Sequence, residues 1–130
     1  MTDSQHVARE VLSQLQRGFT AHDLAAVMHL LDDEVVVFGA AGQGLDTEQS
    51  TAYVSRMLAQ DGVVRWGWDQ VIPVLAEPTV LVFAVVGTVG FDDAQGRALG
   101  ERSPFRLTCV AIFRDGRWRL RHFHGSVPQS

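Results

Sequence analysis

The sequence has no lysine, a single cysteine and no long apolar run. All eleven basic residues are arginine, and fifteen acids leave a net charge of −4. A general nucleic-acid binder needs a basic field to meet the phosphates, so that class is excluded. One cysteine, Cys109, excludes an internal disulfide and fits a reducing compartment. No stretch of about 18 apolar residues is present, so no membrane-spanning helix is expected. The N-terminus MTDSQHVARE lacks the basic start and apolar stretch of a signal peptide, which makes the cytoplasm the expected location.

What is present is a globular mixture. Hydrophobic residues make up 46% and charged residues 20%, so a packed core rather than disorder is expected, and 130 residues suit one domain spanning 1–130. The charge is uneven. Residues 102–130 hold six arginines and one acid, whereas residues 1–101 hold five arginines and fourteen acids. This basic tail reads either as a solvated strand face or as a patch for an anionic ligand or an acidic neighbouring subunit.

Asp3 and Ser4 can cap a first helix, along which Val7, Ala8, Val11, Leu12, Leu15 and Phe19 recur at helical spacing. Asp23 is placed to cap a second, shorter helix, which the acidic triplet Asp32-Asp33-Glu34 would end. Val35 to Phe38 reads as a short strand. The glycine-rich AAGQG at 40–44 reads as a flexible rim or lid. Asp46 followed by Gln49 resembles a capping box opening a third helix, with Tyr53, Val54, Met57 and Leu58 on its apolar face.

From Val63 the period changes from 3.6 to 2, with strands expected near 63–75, 79–91, 98–113 and 117–125. The class is therefore α+β: helices first, then a long antiparallel sheet around an apolar interior. Thr79 to Phe91 is apolar at nearly every position, so both of its faces should be covered. Three helices cannot do that, and a symmetric homodimer through the sheet is expected.

Asp115-Gly116 favours a two-residue hairpin turn. An unbroken ladder from that turn places Phe113 opposite Trp118, Ala111 opposite Leu120, Cys109 opposite His122 and Leu107 opposite His124. On that register both histidines point inward beside Cys109.

The tail RLTCVAIFRDGRWRLRHFHGSVP, with its Asp115-Gly116 turn, Trp118, His122, His124, Ser126 and Pro128, resembles the closing hairpin of the nuclear transport factor 2-like superfamily. It is most similar to SnoaL-like proteins and to the association domain of calcium/calmodulin-dependent protein kinase II. The helix–helix–strand–helix–sheet order agrees along the whole chain. The resemblance implies a cone-shaped roll, three helices on a strongly curved, mainly antiparallel mixed sheet enclosing a deep pocket, and dimers or rings built through the sheet. Superfamily members include isomerases, dehydratases, cyclases and noncatalytic modules, so fold does not give function. Isomerase-like members carry a tyrosine and a base aspartate where this chain holds Leu15 and Phe38. The inward arginine of the kinase association domain corresponds to Cys109.

The expected site follows. His122 and His124 are candidate acid/base groups, with Asp46 or Glu101 as an orienting acid. Trp66, Trp68, Tyr53, Cys109 and Phe38 are candidate ligand-binding residues, the two indoles forming a flat wall. Cys109 facing His122 would allow a thiolate–imidazolium pair. Cys109, His122 and His124 also have zinc-ligand chemistry, but no carboxylate shares their face, and neither a metal nor a cofactor is expected. The leading expectation is a protein that binds a largely apolar small organic molecule. The alternatives are an isomerase, cyclase or dehydratase using the histidines, and a noncatalytic oligomerisation module.

Overall fold

The computed structural model describes residues 3–40 and 42–128. Helix α1 (Ser4–Thr20) begins where the Asp3 carboxylate accepts from the Gln5 amide at 3.0 Å. Its buried stripe is the expected one, Val7, Ala8, Val11, Leu12, Leu15 and Phe19. Asp23 caps α2 (Leu24–Leu30) through the Ala26 amide, and Gly18 lets the two helices close, since a methyl group there would run into Val27. Asp46 caps α3 (Thr47–Leu58) through the Gln49 amide at 2.8 Å, while the Gln49 side chain reaches back to Leu45.

The sheet comprises β1 (Leu31–Gly39), β2 (Gly42–Gly44), β3 (Val63–Ala76), β4 (Val80–Asp92), β5 (Ala98–Arg114) and β6 (Arg117–Ser126). Its order is β2-β1-β6-β5-β4-β3, with β1 parallel to β6 and every other pair antiparallel. The sheet is curled but not closed, and the helices pack into its concave face. Leu81, Phe83, Val85, Leu107, Cys109, Ala111 and Leu120 project from that face into the core.

Two readings of the chain change here. The acidic triplet does not end α2, which stops at Leu30. It lies in β1, where Asp32 is buried. The stretch 40–44 is no loose rim at its end, because Gly42–Gly44 pairs with Val37–Gly39 as β2.

The third change is the largest. The turn forms as expected, with Asp115 at φ 54° and Gly116 at φ 81°, and Phe113 does face Trp118. Ala111 faces Leu120 as well. Beyond Leu120 the ladder slips by one residue at Arg121, so Val110 pairs with His122, Cys109 with Phe123 and Thr108 with His124. This β-bulge turns Phe123 inward and both histidines onto the outer surface. The reason is energetic. The continuous register would bury two imidazoles in an apolar interior at about 1–3 kcal/mol each, and would expose Phe123. Leaving one residue out of the ladder costs about 1 kcal/mol of lost hydrogen bonding. The bulge wins.

A matching irregularity in β1 receives it. Between the pairs Leu31–Leu120 and Val36–His122, β1 spends five residues where β6 spends two. The excess carries the acidic triplet. Asp32, its side chain fully buried, bonds Arg114 at 3.1 Å and lies 3.9 Å from Arg121, whose guanidinium also meets Glu34 at 3.5 Å. The basic tail is thus largely answered within the chain, Arg119 pairing with Asp115 as well.

Deleting Arg121 removes the unpaired residue and leaves the pairs on either side in the same phase, Leu120 and Phe123 inward and the histidines outward. In chemical denaturation it should therefore cost only the ion pairs of Arg121, about 1 kcal/mol or less. Arg121→Ala removes only partly exposed ion pairs and should cost about 1 kcal/mol or less. A loss of several kcal/mol on deletion, far beyond that of Arg121→Ala, would refute the account.

Candidate functional site

The inner stripe of α3 presents Tyr53, Val54 and Met57 toward Val37 of β1 and Phe123 of β6. Together with Leu15, Phe19 and Trp66 they enclose an apolar cavity of about 50 Å³. Outside it a vestibule of about 310 Å³ opens between α3 and the ends of β3, β4 and β5. Tyr53, Met57, Trp66 and Phe123 border both spaces and form the constriction between them. Trp66 is held by Phe19 (rings 5.2 Å apart, edge-on), by Phe123 at 6.4 Å and by Trp68, stacked at 5.5 Å and 17°. Gln16 accepts from the Trp66 amide at 2.9 Å, tying this wall to α1. The Tyr53 hydroxyl lies against Gly39, where any side chain would collide with it, and Arg56 sits over the Tyr53 ring at 5.8 Å.

The vestibule is mostly Val64, Val89, Phe91 and Phe105, with Glu101, Ser103 and Gln60 as its polar side chains besides Tyr53. Glu101 arrives through a second bulge. Val89 pairs with Ser103 but Phe91 with Leu99, so residues 100–102 bow out against Gly90 alone, with Gly100 at φ 79°. Bulges re-aim side chains in this way. Arg102 from the same bulge bonds Asp92, and Arg65 bonds it from β3 at 3.0 Å. Burial by itself would raise the Asp92 pKa, but hydrogen bonds from Arg65 and Arg102 outweigh it and hold the carboxyl below the usual range. This clamp fixes the strand ends that carry Phe91, Glu101 and Ser103.

The SnoaL-like domain family matches residues 8–130. The chain belongs to that family. No curated protein matches it in sequence. Among solved structures, this SnoaL-like domain is similar to a candidate calcium/calmodulin-dependent protein kinase II association domain from Xanthomonas campestris (TM-score 0.84, 19% identity, 100% of this chain and 91% of that one). It is also similar to a candidate dehydratase of the nuclear transport factor 2-like family from Streptomyces avermitilis (TM-score 0.82, 9% identity, 98% of each chain). A candidate aromatic ring hydroxylase from Novosphingobium aromaticivorans gives a TM-score of 0.80 at 9% identity, with coverage of 98% and 90%. At these TM-scores the likeness shows the fold, which this chain shares with a structure of the nuclear transport factor 2-like family.

The residues expected at the site divide sharply in the SnoaL-like domain. Tyr53 and Trp66 line the cavity. Trp68 stacks behind Trp66 on the inner face without bordering either space. Cys109 is fully buried opposite Phe123 and Phe83, and burial pushes its thiol far up, so it is no nucleophile at neutral pH. Asp46 is exposed, and its carboxylate serves the α3 cap. His122, His124 and Phe38 stand on the opposite surface of the sheet, because Val37 and Phe123, their neighbours in the chain, take the inner positions. The expected trio Cys109, His122 and His124 is therefore split across the sheet, and among the described residues no group of three or more metal-ligand side chains is assembled. Phe123 was missed, although one signal marked it. Trp118 and Leu120 alternate in phase, and Phe123 is one step out of phase with them.

Asp92→Asn should lower stability by roughly 1–3 kcal/mol at neutral pH, since it leaves charged donors without their acceptor. Because the folded-state pKa is depressed, the Asp92 contribution is complete above about pH 4 and is lost as the pH falls through the folded value. The gap between variant and wild type in urea titrations should therefore close in acid. A gap that persists at the lowest pH would contradict this assignment.

Proposed function

We propose that this SnoaL-like domain binds a small, largely apolar organic molecule in the vestibule and its inner cavity. The observation that carries this reading is the constriction of Tyr53, Met57, Trp66 and Phe123, shared by two apolar spaces at the open end of the roll. A vestibule of about 310 Å³ lies at the small end of ligand sites, roughly 300–1,000 Å³. Hollows of about 450 Å³ beside Trp118 and about 640 Å³ between α1 and α2 open elsewhere and share no residue with this constriction.

A second reading is favoured by Glu101. It is the one charged side chain lining the vestibule, re-aimed there by its bulge, and it shares that space with Tyr53. A carboxylate and a phenol facing one apolar pocket suit proton transfer within a substrate, as an isomerase, cyclase or dehydratase requires. Fold similarity to a candidate dehydratase agrees with this reading.

The partner we propose is a second copy. On the outer surface Ile72 is 45% exposed, Val74 65%, Leu75 48% and Val86 44%, beside the half-buried Val80, Val82 and Ala84. Apolar surface gathered on β3 and β4 in this way marks an interface. A cytoplasmic location suits the single buried thiol.

Native mass spectrometry of the freshly purified chain tests these points together. The expected result is a dimer carrying an additional organic mass, lost in Met57→Trp, which fills the constriction. A ligand retained equally by Met57→Trp would overturn the proposed pocket, and a monomer would overturn the interface. If the wild type alters the recovered compound and Glu101→Gln does not, the catalytic reading stands. If neither alters it, that reading falls.

A further inference from the structure

His122 and His124 are excluded from the pocket, yet they are arranged. They stand two positions apart in β6, so both imidazoles leave the same outer surface, with ring centroids 6.2 Å apart. Phe38, paired in register with His124, meets both rings edge-on at 5.5 and 5.3 Å and walls off one side of the pair.

His122 is half buried, and its Nδ1 lies 2.8 Å from the carbonyl oxygen of Val36. A carbonyl only accepts, so Nδ1 carries the hydrogen and the neutral ring keeps its lone pair on Nε2. A backbone carbonyl holding one ring nitrogen while the other faces outward is how metal-bound histidines are oriented. His124 is exposed and, among the described residues, makes no hydrogen bond or ion pair.

We propose that His122 Nε2 and the His124 ring form a two-ligand site for a divalent transition-metal ion of the Cu²⁺, Ni²⁺ or Zn²⁺ kind, with water in the remaining positions. Metal–nitrogen bonds of about 2.0–2.1 Å require the two nitrogens to lie within about 4 Å of each other. Rotation of the exposed His124 brings its ring to the metal, while His122, pinned by Val36, stays in place. Imidazole pairs suit these metals, and affinity should fall from Cu²⁺ to Ni²⁺ and from Cu²⁺ to Zn²⁺.

The charges on this surface do not close the site. Arg121 of β6 is turned to Asp32 and Glu34 of β1, and Arg106 of β5 stands opposite Ser126, beyond His124. The pair lies two strands from β4, so contact between copies centred on β3 and β4 leaves it open.

The test is calorimetric titration of the untagged full chain with NiCl₂ and ZnCl₂ at pH 7.5, paired with imidazole ¹H–¹⁵N spectra. One Ni²⁺ per chain should bind, with resonances of His122 and His124 perturbed and those of His6, His22 and His29 unchanged. His124→Ala, at an exposed position, should fold normally and bind at least about tenfold more weakly, as losing even an outer-shell partner does. Absence of saturable binding at millimolar metal would overturn the proposal. So would undiminished binding by His124→Ala, which would move the metal to another histidine.

Discussion

The buried Asp32 carboxylate, held by Arg114 and approached by Arg121, is the constraint on which the rest of the roll depends. It joins the two irregular stretches of the sheet, the added residue of β6 and the surplus of β1, and keeps them opposite each other. With that pairing in place, everything after Leu120 is set in the phase that puts Phe123 inside and the histidines outside. A buried charge pair is not a strong source of net stability, because desolvation offsets the attraction. Its effect here is selective: it favours one register over another that has every ladder bond intact but the wrong residues in the core.

The concave face then follows from ordinary packing. α1 lays its stripe on the sheet, α3 is fixed at its start by Asp46, and the two helices bring Leu15, Phe19, Tyr53 and Met57 to the aromatic wall of Trp66 and Phe123. The space left over is small inside and wider at the rim. The Asp92 clamp steadies that rim from outside, with Arg65 and Arg102 drawn from two different strands. Ion pairs thus hold the roll both at its lip and along the β1–β6 join, while the pocket between them is nearly all carbon.

Much of this was legible in the chain. The apolar stripe of α1, the three aspartate caps, the third helix, the strand spans and the Asp115-Gly116 turn all rest on local chemistry, and the structure contains them. Tyr53 and Trp66, singled out from the sequence, line the inner cavity and the vestibule. What local reading could not supply was phase. A ladder extrapolated from the turn is sound for four pairs, Arg114–Arg117 to Ala111–Leu120, and then slips at Arg121, taking His122 and His124 out of the interior beside Phe38. Asp32 was misplaced for a related reason: three successive acids look like a solvated helix end until the arginines that answer one of them, 82 and 89 positions later, are brought alongside. The phase conflict between Leu120 and Phe123 was visible. Its resolution required comparing the cost of one unpaired residue with the cost of burying two imidazoles.

The bow at residues 100–102 has a bearing on how such a protein changes over generations. Glu101 hangs from a detour in the backbone, flanked by paired residues that carry the strand-to-strand bonding on either side. Substitution there changes the one charged side chain that lines the vestibule while leaving the ladder, the core and the Asp92 clamp as they were. The polarity of that rim can therefore vary at a single position without any demand on the folding of the roll.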